Sequence, residues 1–176
     1  MHKSAKKLLI LGAGGFGQTV YEVAAAQNKW QDIYFVDDRW PLLTQVNQIP
    51  VICNIEGLKD LNHAEFQAIC AVGNNEIREL WFETLEKYHI ELINIIDPHA
   101  LLSPSVKIGK GCCIMAGCVI STNTVINDGV ILNIGTLLDH DVIIKAFAHL
   151  SVGVKVSSGK IIAPYSFLKV GSCIPH

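Results

Sequence analysis

From Leu102 to Ile174 every sixth residue is Leu, Ile or Val, thirteen branched aliphatics without an exception. Because these three residues make up about a third of the chain, the chance of such a run is on the order of one in a million. Four residues after each member runs a second column. It begins Val106, Cys112, Cys118, Thr124 and Val130, and stays small or β-branched apart from Lys160. A flat sheet alternates with period two and a helix repeats every 3.6 residues, so neither singles out every sixth position. One large and one small inward residue per hexad fit a three-sided parallel β-solenoid in which each hexad forms one face. Three hexads then make a coil of eighteen residues.

The first half follows another period. "KLLILGAGGFGQTVYEVAAAQ" reads as an apolar strand, a glycine turn and a helix with Val20, Val23 and Ala24 at helical spacing. "DIYFVDD", "AICAVGNN" and "ELINII" read as further strands, and "EIRELWFETLEKY" as an amphipathic helix. Strands alternating with helices imply a small parallel sheet. The pattern changes at Asp97-Pro98, which divides the chain into an α/β domain (residues 1–97) and a solenoid domain (residues 98–176).

Composition narrows the partners. A net charge of -2, with no basic run beyond the opening "KSAKK", carries no nucleic-acid or membrane-surface footprint. No apolar run approaches the ~18 residues of a transmembrane helix, and the charged opening leads straight into the glycine turn, unlike a signal peptide. The reading is a cytoplasmic protein without nucleic-acid or membrane partners. The six cysteines show neither CxxC nor a zinc spacing with histidine, so they are expected as reduced thiols without metal, Cys112 and Cys118 in the small inward column.

Within "GVILNIGTLLDHDVIIKAFAHL", His140 lies two residues after inward Leu138 and two before inward Val142, and so faces out of the prism. Imidazole titrates near neutrality and can take a proton from a nucleophile, and a neighbouring carboxylate such as Asp141 can orient the ring. A surface histidine between two solvated aspartates is the competing reading, and Asp139 is expected as a solvated corner. His149, half a coil further on, lies on another side of the prism, so the two histidines can meet only across a subunit boundary. In the glycine turn, Gly12, Gly14, Gly15 and Gly17 would let backbone N–H groups approach a pyrophosphate at the helix start. Arg78 could meet phosphate or form a helix-surface ion pair.

Taken together, "LGAGGFG", "FVDD", "AVGNNEIR", "IDPHALLSPSVKIG" and "GVILNIGTLLDHD" resemble the sialic-acid O-acetyltransferase-like hexapeptide acyltransferases, especially their bacterial UDP-4-amino-sugar N-acetyltransferases. The resemblance implies a homotrimer, with a Rossmann-like N-terminal domain that binds the UDP-sugar and a left-handed parallel β-helix that binds acetyl-CoA as co-substrate. The active site would lie between neighbouring subunits. His140 would act as general base on the sugar amine, paired with Asp141. Gly12, Gly14, Gly15, Phe16, Asp37, Asp38, Gly73, Asn74 and Asn75 would line the nucleotide-sugar cleft, with Asn133 close to the base. His149, Ser158 and Gly159 would serve acetyl-CoA. O-acetylation of a sialic-acid-type sugar and a non-catalytic nucleotide-sugar-binding subunit are the alternatives.

Four features depart from the family pattern. Phe16 stands where relatives usually carry histidine. Relatives usually continue through one or two more coils beyond the position of His176. Lys160 is expected to snorkel outward or distort its coil, and Ala163-Pro164 replace an expected glycine corner.

Overall fold

The computed structural model describes residues 6–176, so most of the basic opening, and the expectation drawn from it, lies outside the described residues. Two compact units are present. One takes in the chain up to Val72 together with Leu80–Ile93, and the other is formed by Gly73–Glu79 and Asn94–His176. No helix among the described residues is long and apolar enough to cross a membrane.

The first unit is built on strands β1 (Lys7–Leu11), β2 (Ile33–Val36), β3 (Gln45–Val46), β4 (Ile49–Cys53), β5 (Phe66–Cys70) and β6 (Glu91–Leu92). Their order is β3-β4-β2-β1-β5-β6, parallel throughout except for the β3-β4 hairpin. Leu8–Leu11 of the central strand are fully buried, as a strand covered on both faces requires. Helix α1 (Gly15–Ala26) follows the glycine turn and buries Val20, Val23 and Ala24. This is the expected Rossmann-like strand-turn-helix arrangement. Helix α2 (Asn75–Lys87) buries Trp81, Phe82 and Leu85 from its later turns.

The second unit is a left-handed parallel β-helix of two-residue strands. Its first face stacks Ile95–Ile96, Cys113–Ile114, Ile131–Leu132, His149–Leu150 and Phe167–Leu168. The second stacks Leu101–Leu102 through Cys173–Ile174, and the third Lys107–Ile108 through Ile161–Ile162. Every pairing joins residues eighteen apart, so each inward aliphatic sits on its equivalent one coil below. Ile114, Ile120, Ile126, Leu132, Leu138, Ile144, Leu150, Val156 and Ile162 form one core with Cys112, Cys118, Val130, Val142, Ala148 and Val154. Ile95–Ile96 already pairs with Cys113–Ile114, so the change of pattern at Asp97-Pro98 falls inside the first coil. "ELINII" accordingly is two strands, one in each unit.

The corners obey the same period. Gly111, Gly117, Asn123, Gly129, Gly135, Asp141, Phe147, Gly153, Gly159, Tyr165 and Gly171 all adopt left-handed φ between 56° and 71°. Tyr165, not Ala163 or Pro164, is therefore the turning residue of its corner. The coil at Lys160 keeps its ladder: the Lys160 carbonyl accepts from Ile143 N–H at 2.9 Å, and the half-buried side chain leaves the register unbroken.

Candidate active site

The corner between the second and third faces carries Thr122-Asn123, His140-Asp141 and Ser158-Gly159 on successive coils. Its turn at His140 is held from both sides, since Asp141 N–H donates to Thr122 O (2.9 Å) and Gly159 N–H donates to His140 O (3.0 Å). Asp139 is more than a solvated corner, because its Oδ1 accepts His140 N–H at 2.8 Å. The His140 ring and the Asp141 carboxylate are 56% and 55% exposed and meet at 2.7 Å between Nδ1 and Oδ2. A carboxylate can only accept, so Nδ1 carries the proton and Nε2 keeps its lone pair for a substrate. The bond to Asp141 raises the His140 pKa above its ordinary value and lowers that of Asp141, with Asp139 adding to the former. An exposed imidazole held in this tautomer by a carboxylate is chemically able to accept a proton from a nucleophile.

His149 points outward from the first face, between Ile131 and Phe167, yet it is only 8% exposed. Gly73–Glu79 lies over it: Nδ1 is 3.2 Å from Gly73 O, and Phe167 meets the ring edge-on at 5.0 Å. Burial lowers its pKa, assisted by the charge of Arg78, which favours the neutral ring. His149 thus stands on a different face from His140, while Ser158-Gly159 stands directly beside His140.

Arg78 requires a correction. It is not a helix-surface residue but fully buried, and its guanidinium donates to the carbonyls of Gly129 (Nε, 2.7 Å) and Phe147 (Nη2, 2.7 Å) and to Asn75 Oδ1 (2.8 Å). Gly129, Phe147 and Tyr165 occupy one corner on three successive coils. Asn75 Nδ2 donates to Tyr165 O at 2.7 Å, and Tyr165 Oη donates to Glu79 at 2.6 Å, so one short segment grips all three coils. The sequence signal was available: Arg78 falls at helical spacing with Trp81, Phe82 and Leu85, on the apolar stripe of α2. Asn74 caps α2 through a 3.0 Å bond from Ile77 N–H, and Asn133 closes its own turn by accepting Ile134 N–H at 2.8 Å. A cavity of about 420 Å³ opens between Gly73–Glu76 and the rings of Tyr165 and Phe167.

In the first unit the glycines divide into two kinds. Gly12 adopts φ +105°, where a Cβ would stand 2.9 Å from Ala71 O, and a Cβ on Gly17 would collide with Gly12 O, so these two permit close strand-helix packing. A Cβ at Gly14 or Gly15 would meet nothing within 4 Å. The fold itself does not require glycine there, whereas a ligand approaching the exposed N–H groups at the start of α1 would. Asp37 is buried and organises this turn: Oδ2 accepts Ala13 N–H at 2.8 Å while Arg39 binds both oxygens at 2.7 and 2.9 Å. The Arg39 guanidinium holds its carboxyl down to about 2. Asp38 accepts Ile55 N–H at 3.2 Å, and Phe16 is half-buried in the first turn of α1.

Residues 7–85 match the family described as the PglD N-terminal domain. Among solved structures, the acetyltransferase domain of PglB from Neisseria gonorrhoeae FA1090 in complex with acetyl coenzyme A is 39% identical, with a TM-score of 0.91. The alignment covers 96% of this chain and 81% of that one. PerB from Caulobacter crescentus, in complex with CoA and GDP-perosamine, is 25% identical with a TM-score of 0.78, over 96% of this chain and 91% of that one. WeeI from Acinetobacter baumannii AYE, 17% identical with a TM-score of 0.68 over 96% and 94%, shares the fold.

Proposed function

The chain belongs to the sialic-acid O-acetyltransferase-like family of hexapeptide sugar acetyltransferases, and from that membership we propose that it transfers acetyl from acetyl-CoA to the amine of a nucleotide-linked 4-amino-4,6-dideoxy sugar, with His140 as general base. The reaction would serve bacterial glycan or glycoprotein sugar biosynthesis. The observation that carries the assignment of the base is the His140–Asp141 pair, which fixes one ring nitrogen and leaves Nε2 open on an exposed corner. The UDP-linked sugar is the first expectation, and a GDP-linked sugar the second, because PerB is complexed with GDP-perosamine.

The residues present fit acetyl-CoA beside that base. Gly159, one coil beyond His140, has open space where a Cβ would project, so an extended thioester arm can lie against bare backbone next to Ser158. The co-substrate supplies the activated acetyl carbonyl. His140 Nε2 would accept the proton released as the amine bonds to the acetyl carbon, Asp141 would stabilise the resulting imidazolium, and as the C–S bond breaks the imidazolium would return that proton to the departing CoA sulfur, which leaves as the thiol. Backbone N–H groups are the available donors for the carbonyl oxygen. The turn at Gly14-Gly15 holds the diphosphate by its N–H groups, with Asp37 keeping the turn in shape.

A second copy of the chain is part of the reading. Leu101, Val119 and Leu137 on the second face, and Ile134, Val152 and Val170 at the adjoining glycine corner, are aliphatics 38–71% exposed. Such contiguous apolar surface is characteristic of an interface. Closing three copies would bring His140 of one toward the His149 face of the next, which a single chain keeps apart.

The test is thiol release from acetyl-CoA with a UDP-4-amino-4,6-dideoxy sugar, GDP-perosamine and a sialic acid, each compared with His140→Ala. Turnover of a 4-amino sugar that falls about 100-fold or more in the variant is the expected result. Full activity in His140→Ala overturns the base; turnover of the sialic acid alone overturns N-acetylation.

A further inference from the structure

Asp141 carries the orientation of His140, yet little packs around it. Two adjacent exposed side chains in an ion pair are worth little and are easily disordered by solvent. The backbone of the turn is stapled to the coils on both sides. The torsions of the Asp141 side chain are not fixed by that ladder. The coil below supplies the missing anchor. Asn123 sits eighteen residues before Asp141 in the same corner, shares its left-handed backbone (φ +60° against +59°), and donates from Nδ2 to Asp141 Oδ1 at 3.2 Å. Asn123 is itself tied down one coil further, where its N–H donates to Ser105 Oγ at 2.9 Å. The two oxygens of Asp141 are thus divided, Oδ1 to Asn123 and Oδ2 to His140 Nδ1.

We propose that Asn123 is a positioning residue for the base: by holding Oδ1 of Asp141, it keeps Oδ2 against Nδ1 of His140 and so keeps Nε2 as the proton acceptor. This rests on the reading of His140 as general base. Asn123 suits the task chemically. Its amide is a donor that does not titrate, so it favours the ionised Asp141 over the whole working range. Asparagine also tolerates the left-handed turn that the corner demands. The charged groups that act on His140 are Asp141 and Asp139; the coils on either side present Asn123 below and Ser158-Gly159 above, none of which titrates.

Two variants of the full chain test the idea. Asn123→Gly keeps the left-handed turn and removes only the amide. Asn123→Asp keeps the shape but replaces the donor by a second carboxylate facing Asp141. The readouts are the ring titration of His140 by NMR, with the His140→Gln spectrum identifying its resonances, and kcat and KM for both substrates. In Asn123→Gly the His140 titration moves to lower pH and kcat falls about fivefold, with KM within twofold of wild type. In Asn123→Asp kcat also falls, but the titration moves to higher pH because negative charge has been added. Shifts in opposite directions are not produced by a merely structural role.

An unchanged His140 titration in Asn123→Gly overturns the proposal, whatever happens to turnover. A fall in kcat accompanied by a matching loss of thermal stability and an unmoved titration overturns it equally. Retained activity in His140→Ala defeats the base assignment separately, while the titration still decides whether Asn123 holds the pair.

Discussion

Replacing Arg78 by Met removes the guanidinium that grips two coils of the β-helix. The carbonyls of Gly129 and Phe147, each bonded at 2.7 Å, then lose a charged donor in a place that water does not reach. A buried acceptor left unsatisfied costs about 1–3 kcal/mol. Methionine fills much of the space and avoids the cost of burying a charge, which pulls the net effect of two such carbonyls to about 2–5 kcal/mol. For a chain of this size each kcal/mol lowers Tm by roughly 2–4 °C, so a fall of about 10 °C is expected. Arg78→Lys retains a cation but not the fork that reaches both carbonyls, and recovers about half of the loss. Thermal unfolding followed by circular dichroism measures both variants. The N-acetyltransferase assay should show a further consequence, because Arg78 also holds Asn75, two residues from the Gly73 carbonyl that contacts His149. If Arg78→Met lowers Tm by less than about 2 °C, the two carbonyl bonds contribute little and the account of this segment is wrong.

Asp37, held down to about 2 by Arg39, below the ordinary carboxylate range, contributes stability that is present above its unfolded pKa and disappears as pH falls toward 2. Discounted for the exposed guanidinium, its contribution is about 1–2 kcal/mol, so Asp37→Asn should be less stable at pH 7 and show a flatter Tm between about pH 5 and pH 2. Gly129 and Gly135 share left-handed φ of +64° and +69°, but a Cβ at Gly129 would strike the Phe147 ring while one at Gly135 would meet nothing within 4 Å. Gly135→Ala should cost about 1–2 kcal/mol from backbone strain alone, and Gly129→Ala at least twice as much; equal losses in chemical denaturation would refute the contact. His140 must be neutral to accept a proton, and its bond to Asp141 raises its pKa, so kcat/KM should rise with pH through a midpoint above the ordinary imidazole value. In Asp141→Asn that midpoint should move to lower pH and the plateau should fall at least tenfold, as a pH–rate profile would show.

Much of the candidate site was legible because a solenoid converts sequence spacing directly into position. Leu138 and Val142 fix the inward phase, so His140 had to face out, and the exposed ring follows. The left-handed corner was misplaced at Ala163-Pro164, because its column runs through Asn123, Asp141, Phe147 and Tyr165 as well as glycine, and only the folded coils show Asn123 as the neighbour of Asp141 one coil below. Arg78 and His149 were harder. A charged side chain in "EIRELW" reads as surface on its own, and an outward histidine on a solenoid face reads as exposed. Helical spacing places Arg78 on the apolar stripe of α2, but what covers it and His149 is Gly73–Glu79 folded onto the corner at Gly129, Phe147 and Tyr165, and these partners, more than fifty residues away, leave no period in the sequence.

By itself the sequence determined the β-helix, its three faces, its inward columns and the exposure of His140, since each coil repeats a local pattern and meets only its neighbours. It also determined the strand-turn-helix start, whereas which two of its four glycines serve packing was visible only in the structure. Tertiary structure alone decided that Asp37 shapes the glycine turn, that Arg78 ties neighbouring coils through their carbonyls, and that His149 is a covered ring. These outcomes depend on which carbonyls and carboxylates reach a given donor in space, and hydrogen-bond partners distant along the chain are chosen by packing rather than by spacing.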